Sequence, residues 1–104
     1  MSDNSLENGF AEAGELFRAL ASPVRVALVA QLTAGERCVH ELVESLGLPQ
    51  PLISQHLRVL RGADLVEGVR RGREVAYQLT DDHVAHIVGD AVHHAKEGHV
   101  HDRH

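Results

Sequence analysis

Tryptophan is absent from this 104-residue chain, and the other aromatics number three: Phe10, Phe17 and Tyr77. Its core must therefore be aliphatic, and base stacking on aromatic platforms is excluded as its main way of holding nucleic acid. Cysteine occurs once, at Cys38, which rules out an intrachain disulfide and a four-cysteine zinc site. No apolar run nears the ~18 residues of a membrane span. The opening Met-Ser-Asp-Asn-Ser-Leu-Glu-Asn lacks the basic and then apolar regions of a secretory signal. These absences predict a cytoplasmic protein with no membrane partner. No Gly-rich phosphate loop is present, and no serine or cysteine has a convincing base partner. Neither an enzyme nor a small organic substrate is expected.

Basic charge is scarce too. A net charge of −5 argues against binding nucleic acid through bulk charge. The distribution is uneven, however. Five of the ten basic residues, Arg58, Arg61, Arg70, Arg71 and Arg73, lie in one stretch against Asp64 and Glu67, so that stretch is +3 on a body of −8. A local arginine cluster on an acidic body suits specific phosphate contact; a solvated face with surface ion pairs is the rival reading. Histidine is abundant, with seven of nine between His83 and His104. Such clustering points to metal binding or pH sensing.

The length fits one domain, read as residues 9–97 between a polar flexible arm (1–8) and a histidine-rich flexible tail (98–104). From about Leu6 to Leu20, Phe10, Ala13, Phe17 and Leu20 recur at helical spacing. Ser22-Pro23 starts a second helix with a capping side chain and a first-turn proline. That helix turns Val24, Ala27, Leu28 and Leu32 inward. A short third helix spans about Cys38 to Leu46 and stops at Gly47. Pro49 and Pro51 lead into a fourth, whose buried stripe is Ile53, Leu57 and Leu60. The period then changes: Val75, Tyr77 and Leu79 alternate with Glu74, Ala76 and Gln78 as a strand. Leu65 to Arg70 is its partner across the turn Arg71-Gly72-Arg73. A last helix, about Asp82 to Glu97, carries Val84, Ile87, Val88, Ala91, Val92 and Ala95. The fold class is thus mainly α with a small β-hairpin, in the order α-α-α-α-β-β-α.

Two short helices followed by a basic hairpin make a winged helix-turn-helix, whose second helix enters the major groove. With Ile53, Leu57 and Leu60 inward, the outward stripe is Pro51, Ser54, Gln55 and Arg58. Gln pairs with adenine, Arg with guanine or phosphate, and Ser with either. Arg70, Arg71 and Arg73 on the wing would hold phosphates or a minor groove. A helical hairpin used for protein contacts is the alternative. His56, on the same helix, is either groove-side or packed.

His83 and His94 are 11 residues apart. Three helical turns put them on one side of the helix, but about 16 Å apart along its axis, too far for one ion with ligands at ~2.0–2.3 Å. An antiparallel pair of identical helices solves this: a two-fold axis near Val88 to Gly89 sets His83 of one copy beside the partner's His94, twice over. Asp81 and Glu97 complete each shell. Two imidazoles and two carboxylates suit a closed tetrahedral zinc site, structural or regulatory rather than catalytic. The simpler reading has solvated histidines and Asp81 as a helix cap.

Leu16-Phe17-Arg18-Ala19-Leu20-Ala21-Ser22-Pro23-Val24-Arg25 resembles the opening of the ArsR/SmtB family of metal-sensing repressors. So do Cys38-Val39-His40-Glu41-Leu42, Ile53 to Leu60 and Gly72 to Leu79 in their turn. The closing Asp-x-His, ten residues, His-x-x-Glu is similar to the zinc-sensing subgroup with metal on its last helix. The resemblance implies a homodimeric winged-helix repressor. Its metal-free dimer would bind a two-fold operator in double-stranded DNA, and zinc at two interprotomer sites would release it, derepressing efflux or sequestration genes. It also implies a second metal site on the third helix and the N-terminal arm. Cys38 and His40 occupy the third-helix positions, but residues 1–20 hold no Cys or His, so that site is expected to be absent or incomplete. Nickel- and cobalt-sensing relatives expand the last-helix site with tail ligands, for which His86, His93, His99 and His101 are the candidates here. A metal-buffering protein with a winged helix used only for assembly is a further alternative.

Overall fold

The computed structural model describes residues 8–97; the tail 98–104 and residues 1–7 of the arm lie outside the described residues. Five helices and three strands follow in the order α1 Phe10–Ala19, α2 Pro23–Thr33, β1 Arg37–Cys38, α3 Val39–Leu46, α4 Gln50–Gly62, β2 Val66–Arg71, β3 Glu74–Leu79 and α5 Asp82–Glu97. This is a winged helix-turn-helix, with α3 and α4 as the helix pair and β2–β3 as the wing.

The helix boundaries follow local chemistry. Ser22 Oγ accepts from the Arg25 amide at 3.3 Å, and Pro23 fills the first turn of α2, where a missing N–H costs nothing. Gly47 ends α3 at φ 67, a conformation that penalises any residue with a Cβ. At the exit of α4 the positive φ falls on Asp64 instead. Thr80 Oγ1 donates to the Asp64 carbonyl at 2.9 Å, tying that turn to the end of β3.

The sheet corrects one expectation. It has three strands, ordered β1-β3-β2, where a two-stranded hairpin was predicted. Arg37 pairs with Tyr77 and Cys38 with Ala76, antiparallel to β3. This makes β3 the central strand, so small Ala76, flanked by Cys38 and Val69, is its buried residue while Val75 is exposed. The predicted apolar face of Val75, Tyr77 and Leu79 is therefore only partly covered. Cys38 precedes α3 as its N-cap rather than forming its first turn.

The core is aliphatic. Leu28, Val29, Leu42, Ile53, Leu57, Leu60 and Val66 are fully enclosed, each such side chain stabilising the fold by about 1.5–3 kcal/mol relative to exposure. α2 runs through the middle, touching α4, α5 and β3, which is why Val29 is buried alongside the expected Leu28 and Leu32. The stripe of α4 is buried as predicted. The apolar stripes of α1 and α5 are only partly covered. On α1 Ala19 is buried and Leu16 half-buried, with Leu20 buried at the C-cap, while Phe10 and Phe17 are each 58 % exposed. On α5, Val84 and Val88 are buried, but Ala91 and Ala95 face solvent. Both helices lie on the outside with apolar surface to spare.

Candidate nucleic-acid interface and metal centres

On α4, burial of Ile53, Leu57 and Leu60 turns Pro51, Gln55 and Arg58 outward and leaves Ser54 half-buried. His56 is packed: its Nδ1 lies 3.2 Å from Nη1 of Arg25, whose Nε donates to the Ala19 carbonyl at 2.6 Å. A guanidinium only donates, so in this contact Nδ1 faces a donor. This network joins the end of α1 to the recognition helix and withdraws His56 from the exposed row.

The wing arginines Arg70, Arg71 and Arg73 are all exposed, but they are not equivalent. Gly72 and Arg73 form the two-residue turn, with Gly72 at φ 64, the positive φ a tight hairpin turn requires. Arg71 is already engaged: Nε and Nη2 hold the Glu36 carboxylate side-on at 2.7 and 2.8 Å. The hydrogen bond and charge of Glu36 raise the Arg71 pKa further. A forked pair of this kind fixes geometry as well as charge, so Arg71 anchors the wing to the loop before β1. Arg70 and Arg73 are exposed on the wing without such an anchor to Glu36.

The four predicted ligands, Asp81 just before α5 and His83, His94 and Glu97 on it, are all exposed. Within one subunit they are not brought together, as the rise per residue along one helix requires. Asp81 Oδ1 accepts from the Val84 amide at 3.2 Å, so it caps the helix. Glu97 Oε2 lies 3.3 Å from Nε2 of His93, drawing an additional imidazole to that end.

A different cluster does form within the subunit. Ligand atoms of Cys38, His40 and Glu74 lie within 4.8 Å of one another, with His40 Nδ1 3.8 Å from Glu74 Oε1. The Cys38 thiol is pushed up to about 11, first by its hydrogen bond to Glu74, then by burial and by the charges of Glu74, Glu41 and Glu36. Sequence reasoning found Cys38 and His40 and missed Glu74. The missing signal was the β1–β3 register, which sets Cys38 two positions from Glu74 on the neighbouring strand.

An outward polar stripe on the second helix of a helix-turn-helix, beside a basic wing, defines a winged helix-turn-helix domain. Residues 22–68 match the model of the bacterial regulatory protein, arsR family. The HTH-type transcriptional repressor SmtB of Mycobacterium tuberculosis is 64 % identical over 85 residues, 82 % of this chain and 63 % of that protein. The chain thus spans under two thirds of the length of that relative. The HTH-type transcriptional regulator NmtR of the same organism is 40 % identical over 96 residues, 90 % of this chain and 80 % of that protein. Among solved structures, the transcriptional repressor BigR from Xylella fastidiosa superposes with a TM-score of 0.79 at 34 % identity, covering 95 % of this chain and all of that one. The homodimeric winged helix-turn-helix DNA-binding domain Mb0332 from Mycobacterium bovis superposes with a TM-score of 0.81 at 26 % identity, covering 93 % of this chain and 89 % of that one. The chain belongs to the arsR family of bacterial regulators. Among the described residues, no single helix is long and apolar enough to cross a membrane.

Proposed function

We propose that this chain is a zinc-responsive transcriptional repressor of the cytoplasm. It acts as a homodimer that binds a two-fold operator when metal-free and leaves it when zinc bridges the α5 helices. The observation that carries this reading is the outer side of α5: Asp81, His83, His94 and Glu97 are exposed there, while Val84 and Val88 anchor the helix to its own core. A second copy docked antiparallel would bring Asp81 and His83 of one protomer to the partner's His94 and Glu97. Two nitrogen and two oxygen donors suit tetrahedral zinc. The exposed Phe10 and Phe17 supply apolar surface for the same docking, in line with the homodimeric relative Mb0332.

On the DNA side, Gln55, Arg58 and Ser54 would read base edges, with Pro51 beside them, and Arg70 and Arg73 would hold phosphates. Arg71 contributes by holding the wing in place. Release follows from linkage: zinc that prefers the free dimer must weaken DNA affinity by the same factor. The test is a titration of metal-free protein against a duplex selected from random sequence, repeated with zinc, cobalt and nickel. Typical coupling of about 5–150-fold is expected on adding zinc. Operator binding that zinc leaves unchanged overturns the proposal.

The contact of His93 with Glu97 favours a second reading, a six-coordinate nickel or cobalt site enlarged by His93. Cobalt absorption separates the two. Intense tetrahedral bands support the four-ligand shell, and weak octahedral bands support the larger one.

A further inference from the structure

We propose that Arg25 is a positioning residue for DNA reading: its guanidinium straps the end of α1 to α4 and fixes the pose in which Gln55 and Arg58 meet the operator. The inference rests on the reading of α4 as the DNA-facing helix and adds to it a residue that touches no DNA. Local chemistry calls for the strap. The carbonyl of Ala19, the last residue of α1, would ordinarily accept from the amide four residues on, but that residue is Pro23, which has no N–H. The Ser22 amide turns to the Leu20 carbonyl instead. Arg25 Nε fills the gap at 2.6 Å, placing a cation at the carbonyl end of a helix, where it is favoured. Arg25 is itself held at the start of the central helix α2, its amide 3.3 Å from the capping Ser22 Oγ. Nη1 then reaches His56 Nδ1 at 3.2 Å, in the middle of α4.

Three helices thus meet at one half-buried side chain. A depression of ≈ 520 Å³ lined by Ala19, Arg25, Val59 and Ala63 opens beside it, and Val59 is 41 % exposed. At this point α1 and α4 are tied by hydrogen bonds rather than by close packing. His56 lies between the exposed Gln55 and Arg58 in sequence, so a rotation of α4 that frees its ring swings both. The strap is also acid-sensitive. A guanidinium only donates, so the bond forms only while Nδ1 carries no proton. Imidazole ordinarily takes one near pH 6.5, which sets two cations face to face. Among the described residues no carboxylate pairs with His56 to offset them. Glu15 of α1 turns to Arg18, Glu41 of α3 to the Cys38 amide and Glu67 of β2 to Gln78. His40 and Glu44 of α3, Arg58 and Arg61 of α4 and Arg70 of β2 are exposed, and Arg71 is taken by Glu36.

The test is operator binding by metal-free protein under chelator, followed by anisotropy on the selected duplex from about pH 7.5 to about pH 5.5. At the upper pH Arg25→Gln should weaken binding by about 2–30-fold, the span for residues that touch neither partner, with the salt slope unchanged. A phosphate contact would instead lower that slope by about one. His56→Ala should match Arg25→Gln, and the double variant should be no weaker than either alone. His56→Gln, whose side-chain oxygen can accept the same bond, should keep the affinity of the unaltered chain at the upper pH and lose less than that chain in acid. Circular dichroism checks folding; if Arg25→Gln unfolds, the contrast of His56→Ala with His56→Gln decides. Unchanged affinity in Arg25→Gln or His56→Ala, additive losses, a salt slope lower by about one, or equal acid profiles for the unaltered chain and His56→Gln would overturn the assignment. An unaltered chain that binds no selected duplex fails the repressor reading itself and takes the strap with it.

Discussion

On the proposed reading Arg58 serves DNA and His94 serves metal, and each can be removed without touching the core, since both are exposed. Arg58→Ala should lower operator affinity by about 1–3 kcal/mol, measured by anisotropy at fixed salt, with zinc affinity unchanged. His83→Ala or His94→Ala should have the opposite profile, with normal operator binding by the metal-free protein and no release by zinc. If those variants lose the operator yet still respond to zinc, the division of roles is wrong. At this scale the outward row of α4 was legible because its buried stripe has a clean helical period. The capture of Arg71 by Glu36 was not, since 35 residues separate them and charge alone gives no partner. Glu74 escaped for the same reason.

The elements were legible where punctuation is strong. Ser22-Pro23 and Gly47 marked helix ends that the structure reproduces. β1 was missed because two residues carry no period to read. It exists because the central strand β3 has a free edge that Arg37 and Cys38 satisfy. The sequence left open what covers α1 for a related reason: periodicity shows that a helix has an apolar face, not what covers it. Two substitutions test the packing. Gly47→Ala forces a Cβ into the left-handed region and should cost about 1–2 kcal/mol, seen as a lower urea midpoint with unchanged slope. Leu57→Ala, which empties a fully enclosed position linking the recognition helix to the core, should cost about 2–5 kcal/mol.

For the molecule as a whole, the proposed metal response is expected to depend on acidity. Imidazole ordinarily takes a proton near pH 6.5 and must shed it to bind zinc. Zinc affinity should therefore fall as pH drops below about 6, so the zinc needed for operator release rises in acid. Calorimetric titration across pH 5.5–7.5 checks this; a flat profile would mean that carboxylates dominate the shell. The general architecture could be read from one chain because it arises from local periods. For the partner surface only the spacing of His83 and His94 gave a signal, because the apolar period alone does not distinguish a face that folds inward from one that waits for a copy.

On the proposed dimer, the exposed rings of Phe10 and Phe17 make dilution itself a perturbation. A lone subunit leaves oily surface in water, so a dye that brightens in such contacts should light up below the dissociation threshold and dim when protein is added back. The dose at which the switch responds should then slide with how many copies the cell makes.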